Sequence, residues 1–149
     1  MANWVQTAAL AAGLVVSASV WAQEASLHDR REAAMKEMGG ALAAIGKYAK
    51  GEREWDDSLA AAAALAHGNA TRILDMFPPD GKPEHRAKAE IWTEREAFEK
   101  AAGETVAATG ELLKVVDGKD REVIGAKLRA VGGTCGTCHD RFRTEEHAH

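Results

Sequence analysis

From Ser26 to Arg143 the apolar residues recur at alternating intervals of three and four, in four separate runs. Only an α-helix turns such a spacing into one continuous face. The first run, about Ser26 to Ala49, carries Leu27, Ala34, Met35, Met38, Leu42, Ile45 and Ala49, with Gly51 as its stop. The second, about Glu54 to Met76, carries Trp55, Leu59, Ala62, Ala66, Ala70, Ile73 and, just beyond, Phe77. Asp56 and Asp57 occupy its first turn, where negative charge suits the helix dipole, and Pro78-Pro79 ends it. The third, about Ile91 to Val116, carries Trp92, Phe98, Ala102, Val106, Thr109, Leu113 and Val116, and runs into an Asp117-Gly118 turn. The fourth, about Asp120 to Arg143, carries Ile124, Leu128, Val131, Cys135, Cys138 and Phe142. Four helices with short first and third connections predict an all-α, antiparallel four-helix bundle. The longer link, 77–90, is rich in Pro, Gly and charge and must cross one end of it.

The first residues differ in kind. No charged side chain occurs from Met1 to Ala22, and Ala8 to Val20 is a small, apolar run. That is the length of a signal-peptide core and short for a membrane span of about 20 residues. Val20-Trp21-Ala22 offers a cleavage site, although the n-region lacks Lys and Arg. Residues 1–22 therefore read as a secretory signal cut after Ala22, and residues 23–149 as one bundle domain exported to the periplasm. Trp4 and Trp21 belong to the signal. The net charge of −4 argues against nucleic acid as a partner.

An exported chain would use cysteines for disulfides, yet the two present, Cys135 and Cys138, are three apart. A bridge closing so small a loop constrains the unfolded chain very little. Cys135-Gly136-Thr137-Cys138-His139 is instead the C-x-x-C-H pattern of covalent haem attachment. Each thiol can add across one haem vinyl group, and the adjacent histidine can ligate the iron as the proximal base. The pattern has rivals. A zinc site needs two further ligands, and the nearby candidates, His147 and His149, follow in a short tail. A thioredoxin-like pair belongs at a helix N-terminus in a βαβ setting, not near the end of a helix in an all-helical chain.

With these residues in view, the chain resembles the class II cytochromes c, the cytochrome c-prime family, over everything after Gln23. The matching pieces are Arg31 to Gly46, Ala87 to Phe98 and Cys135 to Arg143. Ala89 stands where most of the family has a proline before Glu-Ile-Trp. The resemblance implies a bundle carrying one covalent haem c through Cys135 and Cys138, with His139 on the iron. It also implies Arg31 and Arg143 near the haem propionates. In one branch a methionine of the first helix supplies the sixth ligand, and alignment puts Met35 there. Met38, one turn on, is its rival, and Met76 reads as packing. The other branch leaves the distal face open and binds nitric oxide or carbon monoxide. The expected activity is one-electron transfer with redox partner proteins and no substrate transformed, so not an enzyme. Relatives of the open branch are often homodimers built on the first two helices, and the Ala-rich second helix allows either a homodimer or a monomer here. Trp55 and Trp92 read as core anchors, and His28, His67 and His85 as solvent-facing. Gly132 and Gly133 weaken a helix by roughly 1 kcal/mol each relative to Ala, which points to a close approach between backbone and haem.

Overall fold

The computed structural model describes residues 26–145; the signal segment 1–22, its cleavage site, and His147 and His149 lie outside them. Among the described residues there are five α-helices: α1 Leu27–Ala49, α2 Ser58–Thr71, α3 Glu90–Thr93, α4 Arg95–Val116 and α5 Arg121–Phe142. The long helices form a ring in which α1 packs on α2, α2 on α4, α4 on α5, and α5 back on α1. This is the expected four-helix bundle.

Local chemistry fixes the ends of α1. Ser26 Oγ accepts from the Asp29 N–H at 3.1 Å while the Asp29 carboxylate accepts from the Ser26 N–H at 3.3 Å, a reciprocal cap on two orphan donors. At the other end Gly51 sits at φ 78°, with its N–H on the Tyr48 carbonyl and the Glu52 N–H on that of Lys47. That pairing needs a left-handed residue, which is why the stop falls at a glycine.

Two expected helices are shorter or broken. α2 begins at Ser58 rather than Glu54. The Asp56 carboxylate accepts the Ser58 N–H at 2.9 Å, a local bond that holds the preceding residues out of the helix. After Thr71 the chain tightens through bonds from Arg72 to Asn69 and from Ile73 to Ala70 into a 3-10 turn at Leu74–Met76. The third helix breaks at Glu94, φ −121° and ψ 46°. Side chains on both sides of the break are drawn elsewhere. Trp92 Nε1 donates to the Pro78 carbonyl at 2.9 Å, Arg95 to that of Phe77 at 2.6 Å, and Arg141 pairs with Glu94 itself. Tertiary bonds override the apolar period here.

The core has two halves. Ile45, Leu59, Leu112, Val116, Ile124 and Val131 fill the half away from the 77–90 loop. Under the loop lie Met38, Ile73, Met76, Phe77, Ile91, Phe98 and Phe142, with Phe98 meeting both Phe77 and Phe142 edge-on at 5.2 Å. Alanine is frequent among the buried residues of α1 and α2: Ala34 and Ala41 on one helix, Ala63, Ala66 and Ala70 on the other. α5 starts on Asp120, whose carboxylate accepts from Glu122 and Val123 N–H at 2.9 and 3.0 Å. Replacing Asp120 with alanine is expected to cost about 1 kcal/mol of stability, read as a lower midpoint with an unchanged slope in denaturant titration.

Candidate functional site

The register between α1 and α5 organises the site. At the end far from the loop these helices nearly touch. A Cβ built on Gly46 would stand 3.3 Å from Leu128 Cδ2, and one on Gly125 would stand 3.7 Å from Ala49 Cβ. Three residues forward on α1 thus match three residues back on α5, as antiparallel helices of equal rise require. Carried along α1 toward its start, this register brings Met35 level with His139 and Met38 level with Gly136. Toward that end the seam opens. Side chains added at Gly39, Gly132 or Gly136 would meet nothing within 4 Å. Of the four seams in the ring, α1–α5 is the sparsest; a shallow, open cleft lies beside the Gly46–Leu128 contact, between Leu42, Lys50, Glu52 and Gly132, and does not reach the cysteines.

Cys135 and Cys138 are both half-buried and unbridged. They are less enclosed than a stripe of core residues implies. Cys138 packs against the core half under the loop and Cys135 against the other, so the pair straddles the boundary. Burial raises both thiol pKa values. Cys138 is pushed up to about 11, by burial first and by the neighbouring Cys135 second. His139 is half-buried beside them. Burial, then the Arg143 and Arg86 guanidinium groups, hold its pKa below the ordinary histidine value, with Asp140 opposing. An imidazole kept neutral can donate its lone pair to a metal.

Met35 is half-buried and packs against the same core half as Cys138, whereas Met38 lies inside that core at 5% exposure. Met76, as expected, is packing. Arg31 is 8% exposed, stacks over the Phe77 ring at 4.7 Å and pairs with Glu84, while its Nε is buried without a hydrogen-bond partner. A buried cationic donor left open is an unmet demand for an anion. Arg143, at the end of α5, is exposed.

The sequence reading missed the loop's part in this. Ala87 and Arg143 form an isolated antiparallel bridge. Lys88 N–H donates to the Phe142 carbonyl and Thr144 N–H to that of Arg86, at 3.0 and 2.9 Å. Arg86 adds Nε and Nη2 bonds to the Thr144 carbonyl. Glu84 holds Arg31, and His85, in the left-handed region at φ 51°, stacks on His28 with ring centroids 3.6 Å apart. The loop therefore straps α1 to α5. The charge of 77–90 was legible, but its partners are 50 or more residues away. Two solvent-facing expectations need correction. His28 is half-buried in that stack, and His67 is half-buried with Nδ1 3.1 Å from Thr109 Oγ1. Trp55 and Trp92 are half-buried anchors.

These features fit a haem. Two free thiols one helical turn apart, a neutral imidazole beside them, side-chain-free backbone facing an open seam, and a buried arginine donor without a partner answer its vinyls, iron, flat faces and propionates in turn. Zinc fits less well: among the described residues no group of three His, Cys, Asp or Glu converges on one point.

Comparison with known proteins points the same way. The sequence model described as Cytochrome C' matches residues 26–143. The chain is 29% identical to cytochrome c-556 of Rhodopseudomonas palustris, covering 95% of this chain and 99% of that one. It is 30% identical to cytochrome c' of Rhodospirillum rubrum, covering 97% and 100%. The fold is similar to the crystal structure of cytochrome c' from Rubrivivax gelatinosus, with a TM-score of 0.70, 26% identity, and coverage of 80% and 98%. Acid-acetone extraction of the purified holoprotein should leave its haem on the chain. The Cys135→Ser, Cys138→Ser double variant should release it. Release from the unaltered protein would contradict thioether attachment.

Proposed function

The chain belongs to the cytochrome c' family and carries one covalent haem c, and we propose that it is a periplasmic one-electron carrier whose haem iron is held by His139 and Met35. The observation that carries this reading is the α1–α5 register set by the Gly46–Leu128 and Gly125–Ala49 contacts; extended along both helices at equal rise, it sets Met35 level with His139. The contrast in burial supports it. Met35 is half-buried, while Met38 is committed to the core. Resemblance to proteins named cytochrome c-556 as well as to cytochromes c' leaves both branches of the family in play.

The haem supplies the one-electron couple. The chain's residues supply the rest. Cys135 and Cys138 fix the group's position, and His139, held neutral by burial and two guanidinium groups, provides the proximal base. Met35 offers a soft thioether, which favours the reduced iron and raises the potential. Arg31 presents Nε to a propionate while Glu84 holds its other end, and Arg143 contributes positive charge on the proximal side. As a carrier it would exchange its electron with protein redox partners.

Export rests on the segment before residue 23 and is part of the same proposal. A homodimer through α1 and α2 draws support from the outer face of α2. There Ala61, Ala64 and Gly68 are exposed beside Leu65, itself 45% exposed.

Optical spectroscopy separates the two branches. The reduced protein is expected to be low-spin and unresponsive to carbon monoxide, and Met35→Ala should shift it to high spin, admit the gas and lower the potential. Met38→Leu, a volume-conserving change costing less than about 1.5 kcal/mol, should leave the spectrum as it is. A high-spin, gas-binding unaltered protein would instead assign the chain to the open branch, as a binder of nitric oxide or carbon monoxide.

A further inference from the structure

The seam between α1 and α2 raises a question of register. Near Met35 its buried side chains include Ala34 and Ala41 on α1 and Ala66 and Ala70 on α2, and small side chains interlock weakly, so they allow close approach without fixing how far one helix slides along the other. One polar residue interrupts them. Asn69, on α2, is 5% exposed. Its Nδ2 donates to Glu37 Oε2 at 2.9 Å and, at 3.5 Å, to the Ala34 carbonyl. Those two acceptors stand one residue before and two residues after Met35. A buried amide costs free energy unless it is paired. This one spends its bonds on the single turn of α1 that carries Met35.

Ala34 and Met38 pack that turn against the core, but on the α5 side it is unbraced. Toward the haem the α1–α5 seam is open, so α5 does not brace it. Successive helical residues are about 100° apart around the axis. Asn69 therefore grips α1 from the α2 side while Met35 projects toward the α5 side. We infer that Asn69 is a positioning residue for the distal ligand, acting through the Ala34–Glu37 turn to hold the Met35 sulfur at a fixed height and rotation. This rests on the reading of Met35 as the sixth ligand. A metal–sulfur bond tolerates little displacement, so a turn free to slide would lose it for part of the time. The fraction of molecules with an open distal face sets the apparent affinity for any competing ligand.

The test uses the holoprotein with carbon monoxide as probe. Asn69→Leu keeps the volume and removes both bonds. Glu37→Leu, at an exposed position where folding is not at stake, removes the shorter one. Glu37→Gln keeps an acceptor oxygen. Both leucine variants are expected to take up carbon monoxide in the ferrous state, seen as a shift of the main absorption band, at gas concentrations that leave the spectrum of the unaltered protein unchanged. Each should also show a partial high-spin component in the ferric spectrum, and Glu37→Gln should match the unaltered protein. A pin with only a structural role would lower the unfolding midpoint and leave gas affinity and spin state alone, and that result overturns the inference. Met35→Ala, measured alongside, separates the two claims. If it leaves the spectrum unchanged, the ligand assignment fails and the positioning role falls with it. If it opens the site while Asn69→Leu and Glu37→Leu change nothing, only the positioning role is wrong.

Discussion

Helices α1 and α5 must touch at one end of the bundle and stand apart at the other. A flat group held between two helices demands this, since its faces need clearance while its tethers need a fixed distance. The chain meets the demand with glycine used in two opposite ways. Gly46 and Gly125 let backbone meet side chain at the far end, where Leu128 and Ala49 leave no room for more. Gly132 and Gly136 do the reverse beside the cysteines, where the space a side chain would occupy stays open. Had the seam closed along its whole length, the thiols would face packed apolar side chains.

An open seam loses contacts that a closed one would provide, and other ties replace them. On one side Asn69 and the capping box hold the start of α1. On the other, the end of α5 is bonded to residues 86–88. The 77–90 loop connects the two through Glu84–Arg31, His85–His28 and the Ala87–Arg143 bridge. The opposite end of the bundle is fixed by aromatic and cationic contacts. Tyr48 donates to the Lys119 carbonyl at 2.6 Å and lies under Arg121, and Trp55 meets the Tyr48 ring edge-on. That bond holds Lys119 in the left-handed conformation, φ 57°, that the α4–α5 turn requires.

Much of this was legible in the sequence, for reasons that can be named. The bundle followed from a period of three and four, because core burial imposes that period on every helix. The haem tether followed from five consecutive residues, because covalent chemistry dictates their spacing. The stop at Gly51 followed from a backbone angle few other residues adopt. What escaped were decisions made across the chain. The break at Glu94 depends on the Pro78 and Phe77 carbonyls and on Arg141. The late start of α2 depends on one Asp56 bond. Asn69 sat unnoticed because a polar residue in an alanine-rich run reads as an exposed position until its acceptors on α1 are seen. The stripes of α2 and α4 hold at Leu59, Ala66, Ala70, Phe98, Ala102, Thr109 and Val116 and slip by one residue at three positions. Ala63, Thr105 and Leu112 are buried where neighbouring positions were expected.

The bridge between Ala87 and Arg143 also bears on the order of events as the protein is made. Residues 86–88 emerge from the ribosome some 55 residues before their partners. Until then the strap has only its α1 half, Glu84 on Arg31 and His85 on His28. The haem-binding cysteines arrive in the same late stretch that completes the strap. One stretch of chain, 135–144, thus holds both the tether and the second half of the latch, so docking the end of α5 supplies the two together.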